Sequence, residues 1–530
     1  MGKKQSVVGG VAILAFASIL VKAIGMFYKI PLTYVLGDEG MGYFNAAYTI
    51  YAWLYMLSTA GFPVAVSIVV SEARGKGQGQ MVGRALKVSA IALVLIGSVT
   101  TAAMMVFARQ IATALGTEGA YHTVLAIAPT LFLICITSFF RGCFQGYQNM
   151  VPTAVSQLIE AVGKVVIGMG LAMYAKGQGQ PLTVISAYGV MGVTLGTLIG
   201  TLYLGIRFLL AKAKGELKVQ EREVQVADAR PRVLGRLLSI ALPVTISASV
   251  MSLTSLIDLG MIIRRLTSIG YTQAEATAIY GNYTTLVVPM FNLPSVLITP
   301  IASGIIPALS LCASQGDEEG ARNIMHGAFR TVAFIAVPAA FGLALFSRPI
   351  LSLLYPQESA EAAYQLLTTI APAVYFVCVL TLSNAVLQAH GLAKVSMVTM
   401  LVGGILKVVV GYLLLGNPSI GIFGSPIGTS ICYGVAMLAN LAVIIYRIGY
   451  QPQASHLLLR PTLASIFGIL PIALLYAQLI NPVSSRIYTL LFIALAVVLY
   501  ALFAYLVGAF QKEDLARLLH HKGRQPRKEP

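Results

Sequence analysis

Residues 127–146 read IAPTLFLICITSFFRGCFQG, and residues 370–389 read IAPAVYFVCVLTLSNAVLQA. Ile127, Ala128, Pro129, Cys135 and Gln145 recur 243 positions later as Ile370, Ala371, Pro372, Cys378 and Gln388, and Lys164 recurs at the same offset as Lys407. Six coincidences at one offset mark an internal duplication, and a duplication decides architecture before any single segment does. Earlier in each copy, Gly25, Met26 and Lys29 reappear as Gly260, Met261 and Arg264, 235 positions on. The shorter offset places additional residues in the second copy, around Tyr271–Ala278.

Both quoted stretches sit inside long apolar runs. The 530 residues are 57% hydrophobic and 10% charged, with a mean hydropathy of +0.81. A soluble chain of this size carries about 25% charged residues, so a soluble enzyme, a disordered protein and a disulfide scaffold are all excluded. Runs of about 18 or more apolar residues mark spanning helices. The expected spans are 7–28, 43–70, 86–107, 121–143, 152–174, 184–208, 234–257, 280–311, 330–346, 362–387, 395–415, 422–446, 461–480 and 486–509. The fold class is therefore an all-α polytopic membrane protein with 14 transmembrane helices. Six spans per copy, an even number, start both copies on the same membrane face. The result is two parallel six-helix repeats, related by an axis along the membrane normal, plus two C-terminal helices. The expected divisions are an N-lobe over 1–210, a polar linker over 211–233, a C-lobe over 234–450, helices 13 and 14 over 451–511, and a basic tail over 512–530.

The formal net charge of +17 would suit nucleic acid, but no soluble region is large enough to hold it. Alternating the loops with the N-terminus inside puts 25 of the 36 Lys+Arg in cytoplasmic segments. That is the positive-inside bias, and it predicts that both termini are cytoplasmic. Lys3 and Lys4 precede a run that continues through Tyr28 without a small-residue cleavage site, which reads as a retained first helix. The five cysteines show neither CxxC nor metal spacing, so no metal site is expected.

The stretch Gly61-Phe62-Pro63-Val64-Ala65-Val66-Ser67, ending in Ser71-Glu72-Ala73, resembles the G-[IF]-P-x-A-[IV]-S…S-E signature of bacterial polysaccharide and lipid-linked-oligosaccharide flippases. Gln145-Gly146 and Gln388-Ala389-His390-Gly391 look like that family's repeated Q-[AG]-x-G element. The similarity covers nearly the whole chain. It points to the Gram-positive branch of the multidrug/oligosaccharidyl-lipid/polysaccharide exporter superfamily that includes MurJ-type lipid II flippases and stage V sporulation protein B.

The resemblance implies alternating access in the bacterial cytoplasmic membrane and no enzymatic activity. It also implies a cationic cavity for a pyrophosphate-sugar headgroup and a groove on helices 13 and 14 for the polyprenyl tail. An undecaprenyl-pyrophosphate-linked glycolipid, lipid II foremost, is the expected substrate. Membrane lipids and cell-wall synthesis proteins are the expected partners of a monomer. Another lipid-linked polysaccharide, or a drug handled by an ion-coupled exporter of the toxic-compound extrusion group, is the alternative cargo; a non-transporting scaffold is a third reading. The chain departs from the Gram-negative members, which carry arginines on helices 1, 2 and 8. Here the first span offers lysines, the second has no basic residue before Arg74, and the eighth has none.

Charges within spans cost about 2.5–3.5 kcal/mol on insertion scales, so they normally face a cavity or a partner. Lys22 suits a cavity or snorkels to the interface. Lys29 and Arg264, at matching repeat positions, would converge on a diphosphate or anchor helix ends, with Arg265 beside them. Asp258 would hold an arginine or bind a coupling cation. Glu160 and Lys164, four apart, share a helix face and either neutralise each other or leave Lys164 to the cationic cavity with Glu160 in support. Lys407 has Gly403 where that glutamate would stand, so it needs either a partner from another helix or an anionic ligand in the cationic cavity.

Asn45 and Asn282, with Tyr28, Tyr43, Tyr48 and Tyr283, add hydrogen-bonding groups. Glu72, Arg74, Arg141, Gln145, Asn384 and Gln388 form a candidate cytoplasmic gate or simply solvated helix ends. Pro63, Pro300 and Pro307 are expected to interrupt spans 2 and 8. No Walker A or HExxH motif is present. With no cofactor expected, energy would come from membrane potential, a Na⁺ or H⁺ gradient, or consumption of the flipped lipid.

Overall fold

A computed structural model describes residues 7–59, 61–75, 77–217, 230–479 and 486–509. The described residues are helical almost throughout and contain no strand. Eleven helical segments among them are long and apolar enough to cross a membrane. The expected spans at 7–28, 43–70 and 234–257 fall on the helices that remain, α1 (Val7–Thr59), α2 (Phe62–Gly75) and α9 (Arg230–Ser268). Large apolar side chains such as Leu95, Val166, Val409 and Leu490 point outward, as expected where the surrounding solvent is lipid.

Two local features differ from the sequence expectation. The loop expected over 29–42 is helical, and the chain changes direction within α1 at Gly37, whose φ of 65° favours a residue without Cβ. Of the expected proline breaks one is present and two are not. The span expected over 43–70 is interrupted at Pro63, which occupies the first turn of α2 after α1 ends at Thr59, where a missing N–H costs nothing. The helix α11 (Val288–Gln315) runs unbroken past Pro300 and Pro307, and the irregular backbone is the π-helical turn Tyr283–Val287 just before Pro289.

The chain forms two compact units, Met1–Gly281 and Asn282–Pro530. The first unit continues with α3 (Gly79–Val106), α4 (Ala108–Ala114), α5 (Tyr121–Ile127), α6 (Pro129–Gly146), α7 (Val151–Gly177), α8 (Leu182–Ala213), α9 and nearly all of α10 (Gln273–Asn282). Its tightest seam joins α7 to α8, with α1 packed on both and α6 packed on α2, α3 and α8. A Cβ at Gly142 would stand 2.9 Å from Val66 Cβ and 3.0 Å from the Pro63 carbonyl. The signature stretch at 61–67 therefore beds its backbone against α6. Gly61 does the same against α9, approaching the Ala241 carbonyl and donating its N–H to Thr245 Oγ1 at 3.2 Å. Because α9 packs on α1, α2 and α3, the compact unit extends past residue 234, where the second sequence copy begins. Repeat register and packing are separate properties of the chain.

The second unit contains α11, α12 (Glu318–Leu345), α13 (Ser347–Leu354), α14 (Gln357–Ala389), α15 (Ala393–Leu415), α16 (Gly424–Val443), α17 (Arg460–Gly468), α18 (Leu470–Leu479) and α19 (Arg486–Leu506). α14 packs on α11, α12 and α16, and α17 packs on α19 around Phe346, Tyr476 and Tyr500. The last turn is fixed by two arginines. Buried Arg330 donates to the carbonyls of Gly508 at 2.7 Å and Ala509 at 2.9 Å, and Arg460 donates to Gly508 at 3.0 Å. Both cations sit where the helix dipole is negative. An apolar cavity of 390 Å³ lies between α14 and α16, lined by Pro372, Phe376, Ile431 and Leu438 among others.

Candidate functional site

The site begins with four glycines, Gly189, Gly192, Gly196 and Gly200, along one face of α8. Two of them, Gly192 and Gly196, clamp the backbone of α7, and Gly200 makes room for the Glu160 side chain. A Cβ at Gly196 would stand 2.8 Å from both the Glu160 carbonyl and the Lys164 nitrogen. One at Gly192 would collide with Gly168, and one at Gly200 would reach Glu160 Cγ at 2.7 Å. Without side chains between them the helices approach closely, as small residues allow inside membranes. That seam sets the position of Glu160 and Lys164.

Glu160 does not pair with the lysine one turn away. Arg141, buried on α6, donates from Nη2 to Glu160 Oε1 at 2.7 Å and from Nε to Ser156 Oγ at 3.1 Å. Ser156 donates its own hydroxyl hydrogen bond to the Thr153 carbonyl at 2.8 Å. Lys164 Nζ instead faces two rings, 5.7 Å from the Tyr28 centroid and 5.9 Å from that of Tyr48. Gly25 makes room for it, since a Cβ there would stand 3.4 Å from Nζ. Lys29 donates to Asn45 Oδ1 at 2.9 Å, Asn45 donates to the Met41 carbonyl at 2.9 Å, and Lys29 lies close enough to Lys164 for the two charges to repel.

An aromatic column runs beside these charges along α1. Phe44, Tyr48, Tyr51 and Tyr55 follow one another at centroid distances of 6.2, 5.8 and 5.8 Å, with Tyr28 edge-on to Phe44. Tyr51 is buried within electrostatic reach of Arg141 and Glu160. Three cations and one carboxylate are thus gathered inside a membrane-spanning unit. Such an excess of positive charge suits an anionic ligand, and the ring faces of Tyr28 and Tyr48 help hold the Lys164 ammonium, a contact worth about 0.5–2 kcal/mol each.

Of the other expected residues, Arg264 is exposed and makes no side-chain hydrogen bond or ion pair among the described residues. Arg265 and Asp258 are half-buried on α9, and Asn282 is buried at the end of α10. The Lys22 side chain lies outside the described residues, as do most of the linker and the tail. Lys407 is half-buried on α15. A Cβ at Gly403 would stand 2.7 Å from the Cys432 carbonyl, which leaves no room for a counterpart of Glu160.

Among the proposed gate residues, Glu72 pairs with Arg236 on an exposed surface, Arg74 meets the Gly146 carbonyl, Gln145 is half-buried and Gln388 is exposed. Asn384 accepts from Asn440 Nδ2 at 2.7 Å, and Thr399 donates to Asn440 Oδ1 at 2.7 Å. The sequence reading passed over Ser156, Thr399 and Asn440. The 243-residue offset could have found the first two, because it carries Arg141 to Asn384 and Ser156 to Thr399.

The family described as "Polysaccharide biosynthesis protein" matches residues 7–312, and the MatE family matches residues 243–413. Stage V sporulation protein B of Bacillus subtilis is 26% identical over 80% of both chains, and the Lipid II flippase MurJ of the same organism is 24% identical over 87% of both. A solved structure of Lipid II flippase MurJ in an inward closed conformation shares the fold, with a TM-score of 0.70, 14% identity, and coverage of 96% of this chain and 100% of that one.

Proposed function

We propose, for a chain that belongs to the polysaccharide biosynthesis protein family of the multidrug/oligosaccharidyl-lipid/polysaccharide exporter superfamily, that it flips an undecaprenyl-pyrophosphate-linked glycan, lipid II foremost, across the bacterial cytoplasmic membrane. The observation that carries this reading is the pair of neighbouring ammonium groups, Lys29 and Lys164, both half-buried in one unit while Arg141 occupies the nearby carboxylate. A diphosphate is the lipid headgroup chemistry that repays such a concentration of charge in a low-dielectric span. Alternating access would carry the headgroup between leaflets while the polyprenyl tail stays in the membrane. Both termini would be cytoplasmic. An inside-negative potential is worth about 2.3 kcal/mol per charge per 100 mV, which favours outward passage of an anion without a cofactor; a coupling Na⁺ or H⁺ would add to it. The match of residues 243–413 to the MatE family supports drug export as the second reading. Cationic drugs require carboxylates, however, and the one carboxylate of this cluster is already paired.

The test is leaflet accessibility of lipid II in cells depleted of the protein and complemented with variants. Lys29→Gln combined with Lys164→Gln should abolish translocation at unchanged expression. Normal lipid II movement, with another anionic glycolipid accumulating inside, would remove the lipid II assignment.

A further inference from the structure

On an isolated helix, a glutamate four residues before a lysine on the same face is a favourable pair. Glu160 and Lys164 have that order and spacing, yet the carboxylate turns to Arg141 from the neighbouring helix, and Lys164 Nζ faces the rings of Tyr28 and Tyr48. Arg141 is better placed to hold it. Its guanidinium is aimed by a second bond to Ser156 Oγ, whose own proton is committed to the Thr153 carbonyl. The second unit supplies an internal comparison. At the same repeat positions it carries Asn384 and Thr399, joined through Asn440, with Gly403 in place of the glutamate. There the node between the helices is satisfied by neutral groups alone. The first unit therefore holds a charged pair where its fold equivalent does without one, and that pair lies one turn from a lysine.

We propose that Arg141 is a positioning residue: by sequestering Glu160 it prevents that carboxylate from neutralising Lys164, and so keeps the lysine available to an anionic lipid diphosphate headgroup. The inference rests on the reading of Lys164 as a headgroup ligand, and the experiment separates the two.

The full-length protein is purified in detergent and its affinity for undecaprenyl pyrophosphate is measured, with thermal unfolding recorded for every variant. Arg141→Gln should weaken binding at least tenfold, because the released carboxylate swings to Lys164. Arg141→Gln combined with Glu160→Gln should recover affinity to within about threefold of the parent, since neither the captor nor the competitor is then present. A role confined to packing would not be rescued by deleting a second charge. Undiminished binding by Arg141→Gln, or a folded double variant that stays as weak as the single one, overturns the proposal. Should Arg141→Gln fail to fold, Arg141→Lys and Arg141→Lys combined with Glu160→Gln take the place of the two variants: loss in the first with recovery in the second supports the sequestration, and any other pattern sinks it. Loss of affinity in Lys164→Gln with either of those negative results leaves the headgroup reading standing, whereas full affinity in Lys164→Gln removes that reading itself.

Discussion

The Gly146 carbonyl, at the end of α6, accepts from Ser71 Oγ at 2.9 Å and from Arg74 Nη1 at 3.1 Å, while the Arg74 guanidinium carbon stands 4.2 Å above the Tyr147 ring. Glu72, two residues before Arg74, meets Arg236 with both side chains about half exposed. The sequence treats the two residues alike, as candidates for one gate, because position along a helix says nothing about the neighbour a side chain will find. Their energetics diverge. Truncating Arg74 removes a charge at a helix C-terminus together with a cation–π contact, and Arg74→Ala should cost about 2 kcal/mol. Glu72→Gln should cost less than about 1 kcal/mol, as exposed pairs do. Thermal unfolding of the detergent-solubilised variants checks this ordering; equal losses would mean that the Gly146 cap carries no particular weight.

At the level of elements, the seam between α7 and α8 matters most, because close contact at its glycines sets where Glu160 and Lys164 stand. The glycines at 189, 192, 196 and 200 are plain in the sequence, but their spacing alone does not say which helix they admit. The α1 kink shows the converse. Hydropathy separates two spans at 28 and 43, yet the intervening residues continue as helix to Gly37 and beyond, because polarity marks a membrane boundary and not a helix end. Gly196→Ala sets a methyl 2.8 Å from two α7 backbone atoms that cannot yield, so α7 must move. Transport should fall to background although every charged residue is retained, with a lower unfolding temperature. Gly170, on the same α7 but with nothing within 4 Å of a Cβ, is the control: Gly170→Ala should be neutral or stabilising by up to about 1 kcal/mol. Unimpaired transport by Gly196→Ala would show that the seam tolerates displacement and does not set the site.

Across the molecule, hydropathy and the 243-residue offset reveal a duplicated, all-helical membrane protein. The same offset hides the difference in chemistry between its copies. Lys164 and Lys407 coincide, but the residues around them do not. Arg141 and Glu160 in the first unit correspond to Asn384 and Gly403 in the second, and what distinguishes the surroundings of the two lysines is cross-helix contact that no spacing rule sees. The remaining charges act collectively. If 25 of the 36 Lys+Arg lie inside, the basic segments fix the orientation of every span, and with it the leaflet from which an anionic headgroup would enter. The native cysteines can test that orientation without new ones being introduced. Cys135, Cys143, Cys378 and Cys432 are buried, whereas Cys312 is half-buried at the end of α11, with Asp317 the polar neighbour of its sulfur. The eighth expected span ends there, on the cytoplasmic side of the predicted topology. A membrane-impermeant maleimide should therefore modify the protein in inverted vesicles and not in intact cells, and Cys312→Ser should abolish the modification. Labelling in intact cells that depends on Cys312 would invert the topology and turn the positive charge, and the proposed direction of transport, the other way.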